Sequence, residues 1–350
     1  MTQPTIAPNP AYKRIATEEA FAPPQMLKMY RDLYESRKFD DPGFDSLWGF
    51  YLTSQAPRPA AIREKLADLD AMRIADMDAA GIDHQVIALT SPGVQVFERE
   101  VAVSLARDSN DILAEAIRRH PTRFSGLCAV APQAPDVAAQ ELERGKSLGL
   151  KGIIINSHTM GEYLSDTKFW PIFEAAEALG LPIYLHPNTP PKSMIQPFLE
   201  AGLDGAIYGF GVETGLHMLR IITAGVFDRF PRLEMIIGHM GEALPFWMYR
   251  LDYMHAAGVR AARYECMKPL KKKVSDYLRE NVYITNSGVA WEPAIKFSQQ
   301  VLGVDRVMYA MDYPYQYTPQ EVVDLDAMDM APETKRAFYQ EVAEKVFKLK

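Results

Sequence analysis

The chain has 350 residues, of which 48% are hydrophobic, with a formal charge of −7 and a pI near 5.6. This is enough to bury the core of one large α/β domain, and the acidic balance excludes the basic stripe that a nucleic-acid surface needs. No apolar run approaches the ~18 residues of a membrane span, and the two distant cysteines, Cys128 and Cys266, give no disulfide framework.

In chain order, residues 1–9 are polar and Pro-rich and show no basic-then-apolar leader pattern, so a cytoplasmic protein is expected. The first candidate strand, 13–19, ends on two adjacent carboxylates, Glu18 and Glu19. Alternation sends one inward and one outward without saying which. A long segment, 24–61, carries Trp48, Phe50 and Arg58. The apolar spacing then predicts helix over Ile62–Ala80 and strand over 82–90. Helix is predicted over Val101–Arg119, strand over 123–132, helix over Val137–Leu148 and strand over 150–158. Helix Phe169–Leu179 leads to strand 182–188, which ends on His186. The glycine-rich run Gly209–Gly215, with Phe210, reads as a loop entering a helix over Leu216–Phe227. Strand 233–241 ends on His239, and Glu242 lies three residues on. A second long segment, 243–280, holds Arg250 and the basic run Lys268–Lys273. Strand 281–288, helix Ala294–Val301, strand 306–314 ending on Asp312, and helix Pro332–Phe347 complete the chain.

Eight strand–helix alternations with Ile/Val-rich strands predict a single (β/α)₈ TIM barrel over residues 1–350, with long loops after strands one and six. A doubly wound sheet usually has fewer strands and a phosphate-binding glycine turn after the first, which is absent here. In a barrel, Glu18, His186, His239 and Asp312 share the C-terminal rim, where active sites form. Each histidine alone could be a hydrogen-bonded strand end. Asp312, after a mostly apolar run, needs a partner if buried. Two imidazoles and two carboxylates on four strand ends point to Zn²⁺, Mn²⁺ or Fe²⁺ with positions open for substrate. His84, His120, His217 and His255 read as structural, as does His158 in the first instance.

The runs Ile15–Ala22, Ser46–Tyr51, Ala201–Ile207, Gly238–Pro245 and Met311–Tyr317 resemble the amidohydrolase superfamily. The resemblance is to its decarboxylase branch and, within it, to the 5-carboxyvanillate decarboxylases. It implies Glu18, His186 and Asp312 as ligands of one divalent ion, with His239 and Glu242 assisting and Asp312 as proton donor. Mn²⁺ is preferred over Zn²⁺, because a carboxylate-rich site suits a harder ion. The expected reaction is non-oxidative decarboxylation of an ortho-hydroxybenzoate, in lignin-derived aromatic catabolism. Arg58 and Arg250 would clamp a second substrate carboxylate, and Trp48, Phe50, Phe210 and Tyr315 would supply flat walls, although each taken singly reads equally as core. A homodimer or homotetramer is expected, in which Arg250 serves its own site or a neighbour's. The alternative is a metal-dependent hydrolase of a lactone or amide. The hydrolytic His-x-His is missing from strand one, and strand four ends on Asn156-Ser157-His158 rather than on a bridging lysine. A non-catalytic metal-binding protein is the third reading.

Overall fold

Eight short runs of branched and aromatic residues pair in parallel, each with the next in sequence. They are β1 (Ile15–Phe21), β2 (His84–Leu89), β3 (Phe124–Ala129), β4 (Gly152–Asn156), β5 (Ile183–His186), β6 (Met235–Ile237), β7 (Val282–Thr285) and β8 (Val307–Met308). This computed structural model describes Ile6 and residues 11–349; Ile6 apart, the polar terminus at 1–9 lies outside the described residues. The chain past β8 returns to β1. The Thr17 amide donates to the Tyr309 carbonyl (3.1 Å) and the Ala20 amide to that of Tyr313 (2.7 Å), which brings the sheet round into a barrel. The strands are buried along nearly their whole length because helices cover the outside and side chains fill the inside. All eight expected strands are present, each within a residue or two of its expected range or shorter.

β1 departs from regular pairing. Ala16 is opposite Gln85 but Glu19 is opposite Ile87, so β1 takes three steps where β2 takes two. The extra residue is a β-bulge, a device that re-aims side chains beside functional sites.

Two helical expectations are corrected. Ile62–Ala80 is not one helix but the end of Pro57–Ala67 and a second helix, Ala71–Ala79. The Asp68 carboxylate accepts from the amides of Asp70 (3.0 Å) and Arg73 (2.8 Å) and starts the second helix. The Gly209–Gly215 run is already helical, in a helix spanning Gly209–Thr223. Its glycines serve close approach, since a Cβ on Gly209 would stand 2.4 Å from the Asp204 carbonyl oxygen. Among the described residues no helix is long and apolar enough to cross a membrane.

The long segment after β1 folds as helices Pro24–Ser36, Pro42–Thr53 and Pro57–Ala67, and the one after β6 as Leu244–Arg260 and Val274–Glu280. Four of these five begin with proline in the first turn, where its missing N–H costs nothing. Both segments leave from the C-terminal ends of their strands, and so both stand over the barrel mouth.

Candidate active site

Glu18 settles which carboxylate of β1 faces the barrel mouth. Its Oε2 accepts from the hydroxyls of Tyr184 and Thr285, the latter at 3.0 Å. Its Oε1 is buried with no hydrogen-bond partner. The Nε2 atoms of His186 and His239 face that oxygen at 3.3 and 3.5 Å. His186 Nδ1 lies 2.9 Å from the Pro187 carbonyl, which can only accept, so Nδ1 carries a proton. The lone pair of a neutral His186 is then on Nε2, aimed at another acceptor. Such an arrangement needs protons or a cation between the groups. Imidazole and carboxylate donors with the second ring nitrogen already engaged are the usual furniture of a divalent-metal site. Among the described residues no three such side chains already ring a common point at ligand distance; here the donors touch one another instead.

His239 stands at the start of a tight turn. The backbone from His239 to Ala243 is left-handed throughout, with φ between 50° and 72°. Only one of the five is glycine, so the turn stores strain of a kind that clusters at functional sites. It brings Glu242 Oε1 to 2.8 Å from His239 Nδ1. Glu242 lies against Gly211, where a Cβ would stand 2.9 Å from its Oε2. Asp312 is also left-handed (φ 60°). Gly288 touches this cluster: a Cβ there would stand 3.4 Å from Asp312 Oδ2 and 3.6 Å from His239 Cδ2.

The charges act on one another. Burial opposes the charge on His239, but Glu18, Glu242 and Asp312 outweigh it and push the imidazole up to about 10. Burial pushes Asp312 up to about 7, with His239 pulling the other way. Burial also raises Glu18, yet His239 and His186 hold it below the ordinary carboxylate range. A divalent cation would lower all three.

A cavity of about 1150 Å³ opens over this cluster, lined by Phe210, Leu216, His239, Glu242, Arg250 and Asp312 among others. The expected wall residues divide. Phe210 and Arg250 line the cavity. Trp48 does not: it is 1% exposed, its indole N–H donates to the Ser91 carbonyl (3.1 Å), and Tyr51 stands in front of it. Of the two readings its sequence allows, wall or core, the structure shows core. Tyr315 packs on Tyr51 and bonds Thr90 through its hydroxyl (2.6 Å). Arg58 is exposed and donates to the Tyr315 carbonyl (2.9 Å), outside the cavity wall. Phe50 is exposed and packs on Tyr51.

The amidohydrolase family model matches residues 52–349, a span that holds His186, His239 and Asp312. The chain belongs to the amidohydrolase family. Similarity to solved structures extends over β1 as well. A 5-carboxyvanillate decarboxylase from Novosphingobium aromaticivorans, solved with manganese and 4-hydroxy-3-methoxy-5-nitrobenzoic acid, is 57% identical. The match covers 100% of both chains, with a TM-score of 0.97. A 5-carboxyvanillate decarboxylase from Sphingomonas paucimobilis is 40% identical, covering 97% of this chain and 99% of that one, with a TM-score of 0.91. The gamma-resorcylate decarboxylase of Rhizobium radiobacter is 34% identical over 87% of this chain and 88% of its own length.

Within this amidohydrolase, β4 ends on Asn156, and Lys151 precedes the strand at the opposite rim. His158 is satisfied: its Nε2 lies 2.9 Å from the Thr189 carbonyl and its Nδ1 accepts from the Gly161 amide. Sequence reasoning passed over Tyr184, Thr285 and Glu213. The first two look like ordinary strand residues. Glu213 hides in the glycine-rich run. It is fully buried, its Oε2 accepts from the Thr214 hydroxyl (3.3 Å) and its Oε1 has no partner. Burial pushes it up to about 8, and the nearby Glu242 adds to the rise.

Two predictions follow from this geometry. A Cβ on Gly238 would stand 2.5 Å from Glu18 Oε2, so Gly238→Ala should displace that carboxylate and weaken the binding of an added divalent metal ion about tenfold or more, read by calorimetry. Unchanged affinity would show that Glu18 is not needed for the ion. Glu213 keeps its proton in the fold up to about pH 8, whereas an unfolded glutamate loses it near pH ~4.3. Its contribution to stability therefore falls as pH rises through that window. Urea unfolding between pH 5 and 8 should show a shallower decline for Glu213→Gln than for wild type. Parallel curves would mean that Glu213 is charged in the fold.

Proposed function

We propose that this amidohydrolase is a manganese-dependent, non-oxidative decarboxylase that converts 5-carboxyvanillate to vanillate and CO₂. The observation that carries the reading is Glu18 Oε1 facing two imidazole nitrogens under a cavity that also receives Asp312. Support comes from a full-length relative, 57% identical, that is a 5-carboxyvanillate decarboxylase with bound manganese. Glu18, His186 and Asp312 would hold the ion, with His239 beside them. When bound, the ion supplies Lewis-acid charge and a template for neighbouring substrate oxygens.

Direct loss of CO₂ from an arene would leave a high-energy aryl carbanion. Protonating the ring carbon that bears the carboxylate comes first. Asp312 places a carboxylate at the cavity wall, where burial favours the neutral form it reaches on accepting a proton. It takes the substrate's phenolic proton and delivers it to the ring carbon. The carbon–carbon bond then breaks, its electron pair returns to the ring and CO₂ departs. Glu242 holds the His239 ring in one orientation through Nδ1, so that His239 supports the shift of charge. Phe210 offers a flat apolar wall. Arg250, and Arg58 with Tyr315 at the edge, are the candidates for the second ring carboxylate, which a guanidinium binds through two N–H groups.

The same reading makes the whole chain one domain acting in the cytoplasm on lignin-derived aromatics. A homodimer or homotetramer fits the helix Leu244–Arg260, which exposes Phe246 (73%), Tyr249 (85%) and Tyr253 (61%). A patch of large apolar side chains on one helix marks an interaction surface. Arg250 lies within it and serves its own cavity or a neighbour's. The hydrolase alternative has no comparable support, because no bridging lysine ends β4 and the full-length relatives described above are decarboxylases.

The test is CO₂ release and vanillate formation from 5-carboxyvanillate, beside a panel of lactones. Activity should vanish with a chelator and return with Mn²⁺. Ring opening of a lactone without CO₂ release would overturn the reading. Arg250→Met should lower kcat/KM for the dicarboxylated ring by roughly 10- to 100-fold, since a charge-assisted hydrogen bond is worth about 1.5–3 kcal/mol. A salicylate lacking the second carboxylate should lose much less. Equal losses would assign Arg250 to subunit contact instead.

A further inference from the structure

Asp312 sits in a backbone conformation that aspartate does not adopt freely (φ 60°). Left-handed residues other than glycine cost about 1 kcal/mol or more and persist only where the surroundings over-determine them. Beside the Gln316 amide on the Asp312 carbonyl (2.9 Å) and the Ala20 amide on that of Tyr313 (2.7 Å), the surroundings include one buried carboxylate. Glu19 Oε1 accepts from the Met311 amide (2.9 Å) and Oε2 from the Tyr313 amide (3.3 Å). The amide N–H groups of the two residues on either side of Asp312 are thus tied to the two oxygens of a single side chain, itself 1% exposed.

Glu19 is braced in turn. Gln85, its neighbour on β2, donates to Glu19 Oε2 (3.4 Å), and Arg73 donates to Gln85 Oε1 (3.1 Å). Arg73 is fully buried and anchored to backbone, donating to the carbonyls of Ala20 (2.6 Å) and Asp68 (3.0 Å). Its guanidinium lies 4.6 Å from the Tyr313 ring centroid, and the Tyr313 hydroxyl donates to Asp76 (2.9 Å). A buried arginine and a buried glutamate linked through an amide form a fixed polar chain, with most of its donors and acceptors matched. On β1, Glu18 faces the mouth while Glu19 reaches to the segment after β8, just past the bulge that shifts the register between Ala16 and Glu19.

We propose that Glu19, braced by Gln85 and Arg73, is a positioning residue that fixes where the Asp312 carboxylate stands relative to Glu18 and His239. One strand then sets two members of the site, one by its own carboxylate and one by holding the neighbouring backbone. The effect on turnover and on the ion rests on the proposed role of Asp312; the backbone clamp does not.

The test uses Glu19→Gln, which keeps the side-chain volume but sets an NH₂ group against an amide N–H. Amide hydrogen exchange of the peptide spanning 311–313 should quicken at least about tenfold, with little change far from β1 and β8. Exchange at the wild-type rate would overturn the clamp. Mn²⁺ affinity should fall about tenfold, and kcat by about 10²-fold with KM nearly unchanged, the cost of a misplaced group. In an Asp312→Asn background the same substitution should add nothing to the loss of Mn²⁺ affinity. A full additive loss there would show that Glu19 acts by another route. If wild type released no CO₂, the role of Asp312 in catalysis would fail, while the exchange measurement would still decide the clamp. Should Glu19→Gln not fold, Gln85→Met unties Glu19 from Arg73 and leaves both amide bonds. It should speed exchange at 311–313 severalfold, and no change would overturn the bracing.

Discussion

One oxygen of Glu18 and the Nε2 atoms of two histidines are gathered in a buried space at the mouth of the barrel. In a low-dielectric setting such a gathering is costly unless positive charge lies among them. The surroundings hold the donors in place rather than relieve them. Tyr184 and Thr285 occupy the other oxygen of Glu18, the Pro187 carbonyl accepts a hydrogen bond from His186 Nδ1–H, and Glu242 engages Nδ1 of His239. Each donor is engaged on its far side and left open on its near side, which is how metal ligands are oriented by their neighbours.

The backbone carries the matching cost. Asp312 and His239 both stand in left-handed conformations, and His239 begins a five-residue left-handed turn. These positions lie at the C-terminal ends of β6 and β8, where the barrel stops dictating regular geometry. Strain there is sustained by contacts that cross between strands: Glu19 of β1 to the chain after β8, and Glu242 onto the helix Gly209–Thr223. The barrel thus supplies a rigid frame, and the chemistry is set by short irregular segments pinned to it.

The strand count, strand order and rim placement of Glu18, His186, His239 and Asp312 were legible in the sequence, because short Ile/Val-rich apolar runs ending on polar residues are a local signal. The choice between Glu18 and Glu19 was not legible from alternation. It depends on the bulge opposite Gln85 and Ile87, a property of the pair of strands. Trp48 could be read as wall or core, and the choice was not local, because its burial depends on packing with Tyr30 and Tyr51. Glu213 went unseen because glycines at 209, 211 and 215 look like a loop when they in fact admit close neighbours. The break at Asp68 was hidden by apolar spacing that runs on in phase across it.

The proposed chemistry requires above all a single ion held among Glu18, His186 and Asp312. Anomalous diffraction at the manganese edge, from crystals of the protein grown with Mn²⁺, tests this directly. The predicted result is one peak per chain at ligand distance, about 2.0–2.3 Å, from Glu18 Oε1, His186 Nε2 and an Asp312 oxygen. A map with no peak at Glu18, or with two ions side by side, would contradict it.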